Sequence, residues 1–239
     1  MPERRLAQGG EAMAAIKRLG LLAGILLAAG MMTGCNLFYL PILLFGPEPT
    51  IPPEMKSIGS KDKRDQIGVL VLTYAGAETR PEFIKFDRDL AAVIANEMRE
   101  SFKYNGEHVK VVSTSKVEKF KQEHLNWQMM ELAEIGKRFD ADWVVYVEVD
   151  PDTLTLYEKG SARELFRAHA DYSVTLINVR DPEEKKQKQY SYTYPGEAKA
   201  LQASDSTATL FKQKFLEQIA CKVTGCVSAR PTKDKYGDD

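Results

Sequence analysis

Carboxylates at alternate positions near a strand end can converge on a hard cation, and Glu148, Asp150 and Asp152 in VEVDPDT have that spacing. The same Asp-Pro-Asp is the composition of an ordinary strand-ending turn, and no helper ligand is identifiable, so no metal site is assigned. Tyr190, Tyr192 and Tyr194 also alternate, which puts three rings on one strand face. They can form an aromatic platform for a glycan or partner strand, or pack beneath a helix with their hydroxyls at the rim. Cys221 and Cys226 are too far apart in IACKVTGC for a bridge along an intact helix, although Gly225 is a natural helix end that could fold Cys226 back. A disulfide and two separate thiols both fit that spacing. It is not C-x-x-C and has no neighbouring His, which argues against zinc or thioredoxin-type chemistry. His108, His124 and His169 fall beside a turn, at a helix end and on the polar face of a strand. The chain contains no G-x-S-x-G, P-loop, H-E-x-x-H or G-x-G-x-x-G, so no catalytic residue or cofactor is assigned and a non-enzyme is expected.

Cys35 has the clearest chemistry. Lys17 and Arg18 precede an apolar run containing Leu19, Leu21, Leu22, Ile25, Leu26 and Leu27, followed by the small residues Ala28, Ala29 and Gly30. That is the order of a secretory signal, and Met13 opens a better-proportioned one than Met1. The run ends in Met32-Thr33-Gly34-Cys35, which resembles the lipobox of bacterial lipoproteins. The resemblance implies removal of residues 1–34 and acylation of Cys35, which also takes the odd cysteine out of an exported chain. The stretch from Leu19 to Phe45 exceeds the roughly 20 residues that span a bilayer, so an uncleaved anchor is the competing reading. Asn36 and Pro41 near its centre oppose it. Asn36, rather than Asp, after the cysteine resembles the outer-membrane signal of enteric sorting rules.

Residues 35–239 suffice for one domain of ordinary size. A hydrophobic content of 44% with 28% charged residues is that of a folded domain, and a net charge of −1 gives no case for nucleic acid. The leader carries Arg4, Arg5, Lys17 and Arg18 against Glu3 and Glu11, so its loss leaves the balance slightly more acidic. Residues 37–45 are apolar and aromatic, suited to a membrane-proximal collar. Pro47, Pro49, Pro52 and Pro53 stiffen the linker that continues to residue 65.

The α/β domain is expected over 66–226. IGVLVLTY, residues 67–74, reads as a central strand covered on both faces. Phe86, Leu90, Ile94, Met98 and Phe102 recur every fourth residue, which predicts a helix with Asp87 as its N-cap. VKVVS predicts a short strand, and Ser115 to Glu118 has the S-x-x-E form of a capping box opening a second helix. Asn126 is placed as the cap of a third, with Met129, Leu132, Ile135 and Phe139 along one side. Residues 142–150 read as a second central strand. Residues 167–179 alternate, with Ala168, Ala170, Tyr172, Val174 and Leu176 on one face and Arg167, His169, Asp171 and Ser173 on the other. RDPEEKKQKQ is read as a turn, YSYTYP as a strand, residues 205–223 as a helix and 227–239 as a disordered tail.

This order is α/β, or α+β, with a mixed sheet of about five strands packed by three to four helices. Together with Ile135-Gly136, Ala141-Asp142 and the strand Trp143 to Val149, it resembles the anticodon-binding-domain-like envelope domain of CsgG-type curli-secretion lipoproteins, the TolB amino-terminal domain and penicillin-binding-protein activator lipoproteins. It also looks like uncharacterised lipoproteins with an apolar segment after the lipidated cysteine. The resemblance implies a periplasm-facing lipoprotein, held to the membrane through Cys35 and binding other envelope proteins as a subunit or assembly factor. A homo-oligomer is open, and a glycan or cell-wall-fragment module using Tyr190, Tyr192 and Tyr194 is the alternative.

Overall fold

The computed structural model describes residues 50–76, 83–159, 164–196, 201–202 and 208–231. Met32, Thr33, Gly34, Cys35, the signal and the collar lie outside the described residues.

Strand β1 (Thr50–Ile51) precedes β2 (Ile67–Ala75), whose side chains are apolar on both faces because both faces are covered. Val69, Val71 and Ala75 enter one core, and Leu70 and Leu72 the other. Helix α1 (Phe86–Tyr104) buries the predicted stripe from Phe86 to Phe102. Lys85, not Asp87, occupies its N-cap position; Asp87 and Asp89 lie in the first turn, where the helix dipole favours acids.

After β3 (Val109–Val111), α2 (Thr114–Glu123) starts one residue before Ser115. The capping box is not formed: Ser113 is the N-cap, and its hydroxyl shares a 2.8 Å hydrogen bond with the Ser115 hydroxyl instead of reaching the backbone. The third predicted helix is broken. A 3-10 turn (Trp127–Met129) follows Asn126, the chain is extended at Met130, and α3 (Leu132–Arg138) begins afresh. Trp127 is the residue driven into the core there, which turns Met129 out to 90% exposure.

β4 (Trp143–Val149) pairs in parallel with β2 and antiparallel with β6 (Glu164–Asn178). β6 is longer than β4, so its residues 164–169 pair with β5 (Thr155–Lys159), which carries on the line of β4 beyond the turn at Asp150. β7 (Lys185–Tyr194) and the short β8 (Leu201–Gln202) pair with the other side of β6. The mixed sheet therefore has seven strands. The expected five are all present, and residues 185–189 are strand rather than turn because β6 supplies a pairing edge.

Helix α4 (Ala208–Gly225) joins α1 over one face, burying Phe211, Phe215, Ile219 and Val223. On the opposite face α2, the 3-10 turn and α3 cover β2 and β4 but leave the β6–β7 half open. There Gln187, Gln189 and Ser191 are exposed.

Residues 227–231, the described part of the expected tail, are tied to the domain. Val227 and Ser228 are buried, and β9 (Arg230–Pro231) pairs antiparallel with β1. Nor is residue 50 onward a free linker. The amides of Glu54, Met55, Lys56 and Ile58 donate to the carbonyls of Gly225, Cys226, Cys226 and Val227, and Ile58 is buried. Lys56 lies 4.6 Å from the Trp143 ring centroid, so this strap crosses the sheet end where β4 begins.

Candidate functional site

In the order β3-β2-β4 the chain crosses from β2 to β3 through α1 and then back past β2 to β4 through α2 and α3, so the crossover direction reverses there, a topological switch point. In open α/β sheets the crevice at such a point lies outside the carboxyl ends of the strands. Here those ends are Tyr74 and Ala75 on β2 and Glu148 and Val149 on β4. A groove of about 810 Å³ lies there and extends over the open part of the sheet. Register aligns Tyr74, Glu148, Ser173 and Gln189 in one row across four strands. Asp150, Asp171 and Ser191 form the next row, tied by the Asp150 amide donating to the Asp171 carbonyl at 2.9 Å.

Of the groove's lining residues, Tyr74 belongs to an aromatic cluster that continues outside the groove. Tyr74 and Tyr146 both meet Trp127 edge-on, with centroids 6.1 and 6.5 Å apart. Trp127 is held in turn by Lys121, whose ammonium is 5.1 Å from its ring. Lys121 is buried; it donates to the Thr73 carbonyl at 2.9 Å and pairs with Asp87 at 3.3 Å and Glu118 at 3.2 Å. Burial, then the charge of Glu148, push the Tyr146 phenol well above its ordinary range, so it is a neutral hydroxyl.

Glu148 and Asp150 are exposed groove acids, but they do not converge with Asp152. The Asp150 carboxylate instead accepts the Asp152 amide at 2.9 Å, the local turn that Asp-Pro-Asp favours. Among the described residues no group of His, Cys, Asp and Glu is arranged to hold a metal.

His169 accepts or donates at Nδ1 to the Thr193 hydroxyl at 2.8 Å, and its Nε2 lies 3.3 Å from Asp171 Oδ1. Acid, imidazole and hydroxyl are thus in sequence, as in a nucleophilic relay. His169 and Asp171 project from the middle of β6, and Thr193 from the penultimate position of β7. His124 stacks on Phe120 at 4.4 Å, and the His108 amide donates to the Ser60 carbonyl at 2.7 Å.

The three tyrosines share a face as their spacing implies, and it is the face under α4. Tyr190 stacks on Tyr172 at 5.4 Å, Tyr192 on Phe215 at 6.1 Å, and Tyr194 lies 5.4 Å from Phe211. Each ring thus packs against an aromatic neighbour while remaining half-buried, and Tyr190 also lines the groove. Tyr190 carries a polar role, because its hydroxyl reaches Glu54 at 3.1 Å and the Cys226 thiol at 3.0 Å. Cys221 and Cys226 are free thiols. The helix runs on through Gly225 and does not fold Cys226 back on Cys221, while burial pushes the Cys226 thiol up to about 11.

Tyr74, Gln189 and Ser191, which line the groove, and Thr193 beside His169 were not singled out from sequence. The usable signal was the polar half of the β6 alternation, which points at the open face.

No protein-family profile matches the chain, and no curated protein matches it. Among solved structures, the PelC dodecamer from Paraburkholderia phytofirmans is 12% identical, covering 74% of this chain and 96% of that one, with a TM-score of 0.38. A lipoprotein from Neisseria meningitidis is 14% identical over 64% of this chain and 98% of its own, with a TM-score of 0.41. A homologue of a neuraminyllactose-binding hemagglutinin from Helicobacter pylori is 10% identical over 74% and 88%, with a TM-score of 0.32. These values transfer no activity or partner to this chain.

Proposed function

We propose that this chain is a non-catalytic lipoprotein of the bacterial envelope, acylated at Cys35, facing the periplasm from the outer membrane, and binding another envelope protein as a subunit or assembly factor. The observation that carries the reading is the order of basic residues, apolar run, small residues and Met32-Thr33-Gly34-Cys35 ahead of a domain. The fold is compatible with it. The strap enters at the sheet end where β4 begins, whereas the groove lies at the far ends of β2 and β4. Only 36–49 separate Cys35 from the first described residue, which limits the tether to about 50 Å even fully extended.

The test is in-cell crosslinking of the tagged protein with mass spectrometry, alongside metabolic labelling with a palmitate analogue. Label on wild type but not on Cys35→Ser, with a discrete set of envelope proteins captured only by wild type, is the expected outcome. Absence of label removes the lipid anchor; absence of any specific capture removes the partner-binding role.

A further inference from the structure

We propose that a second copy of this chain pairs with the outer edge of β7, antiparallel across a two-fold axis, so that the two sheets become one. β7 stands at one side of the sheet, and among the described residues only β6 pairs with it. No backbone hydrogen bond there joins β7 to anything but β6 and the turn before it. Its ten residues, Lys185–Tyr194, contain no Gly or Pro, and their register on β6 runs through without a shift. A long edge with no bulge or proline is a template for another strand. The edge at the opposite side of the sheet, β3, is only three residues long.

The strand's own asymmetry identifies the occupant. Lys185, Lys186 and Lys188 fill its first half, whereas its second half, from Tyr190 to Tyr194, carries no charge. Two copies running in the same direction would set lysine against lysine, which is destabilising. An antiparallel two-fold sets each lysine half against the other copy's tyrosine half, one patch used twice. Centred on Tyr190, that register puts Lys188 opposite Tyr192 and Lys186 opposite Tyr194 of the second copy on the α4 face. On the open face it puts Gln189 opposite Ser191 and Gln187 opposite Thr193, amide against hydroxyl. A foreign strand would have to bring both halves of this pattern; the chain already holds them.

The side chains suit such a neighbour. Helix α4 leaves Tyr190, Tyr192 and Tyr194 half-buried, and a further strand completes their cover. Lysine over tyrosine is already the local habit: Lys188 Nζ is 5.2 Å from the Tyr190 ring centroid, and Lys222 Nζ is 5.4 Å from that of Tyr192. Lysines held out along an edge strand oppose pairing. Here Lys188 pairs with Glu54 and Lys186 donates to the Met55 carbonyl at 2.7 Å, so both ammoniums are drawn to the strap. Gln187, Gln189 and Ser191 line the groove, so the pairing runs the grooves of the two copies together across the axis.

The test is sedimentation velocity of the full chain in detergent micelles over a wide range of protein concentration. Wild type and Cys35→Ser should both form a dimer that dissociates on dilution. Gln189→Lys with Ser191→Lys, at two exposed positions of the edge, sets lysine against lysine and should weaken association by about tenfold or more with an unchanged melting curve. Gln189→Glu with Ser191→Lys places opposite charges face to face in the proposed register and should keep the dimer. Glu100→Gln on exposed α1 should behave as wild type. A monomer at every concentration, an assembly larger than a dimer, a dimer that survives the double lysine variant, loss of the dimer in the opposite-charge variant, equal loss in the Glu100 variant, or loss on replacing Cys35 would each overturn the inference.

Discussion

Asp142 shows what one side chain does for the start of the sheet. Its Oδ2 accepts the Gly68 amide at 2.8 Å, its own amide donates to the Gly68 carbonyl at 2.8 Å, and Oδ1 meets Arg180 at 2.6 Å. Asp142→Ala leaves a half-buried amide without its acceptor and should cost about 1–3 kcal/mol, whereas Asp142→Asn retains an acceptor and should cost less; urea melts of both decide. Cys226 permits a second check. A buried thiol whose titration is pushed up to about 11 is almost wholly protonated at pH 8, so iodoacetamide should modify it only on unfolding, while the half-buried Cys221 reacts sooner. At this scale the sequence read unevenly. Tyr190, Tyr192 and Tyr194 were correctly placed on one face, but alternation is silent on which face a helix covers.

At the scale of elements, Gly136 explains why α3 lies so close to the sheet. A Cβ there would stand 2.4 Å from Val179 Cγ2 and 2.8 Å from Val144 Cγ2, both on stiff branched side chains. Gly136→Ala should therefore destabilise by about 1–3 kcal/mol despite the better helix propensity of alanine, read as a lower melting temperature. Helix α3 then ends with Asp140 at a φ of 52° and the Ala141 amide returning to the Gly136 carbonyl at 3.0 Å, a left-handed cap. Lys121 ties α2, α1 and β2 to Trp127. Lys121→Met should shift the tryptophan emission and loosen the packing of the 3-10 turn before it unfolds the sheet, which fluorescence against far-ultraviolet dichroism will separate. The apolar periodicities of β2, α1 and β4 were legible because each is dictated by burial. β5 and the first half of β7 were not, because Lys and Gln on an edge acquire strand geometry only from the length of β6.

At the scale of the molecule, the strap and the chain after α4 close the core between α4 and the sheet. Burial alone would raise the Glu54 carboxyl, but hydrogen bonds from Lys188 and Tyr190 and the charges of Lys188 and Arg230 outweigh it and hold it below its ordinary value. A carboxyl depressed in the folded state stabilises it above the unfolded value of about 4.3 and loses that contribution as pH falls through the folded value. Wild type should accordingly exceed Glu54→Gln in urea midpoint at pH 7, and the gap should close on acidification toward pH 3. None of this was visible along the chain, since the pairing of residues 50–58 with 225–231 spans nearly the whole domain. That pairing also makes Thr50 and Pro231 neighbours across an antiparallel strand pair. A circular permutant, with these ends joined by a short glycine-serine bridge and new ends cut at the exposed turn between β6 and β7, should keep the same sheet while shifting its point of attachment.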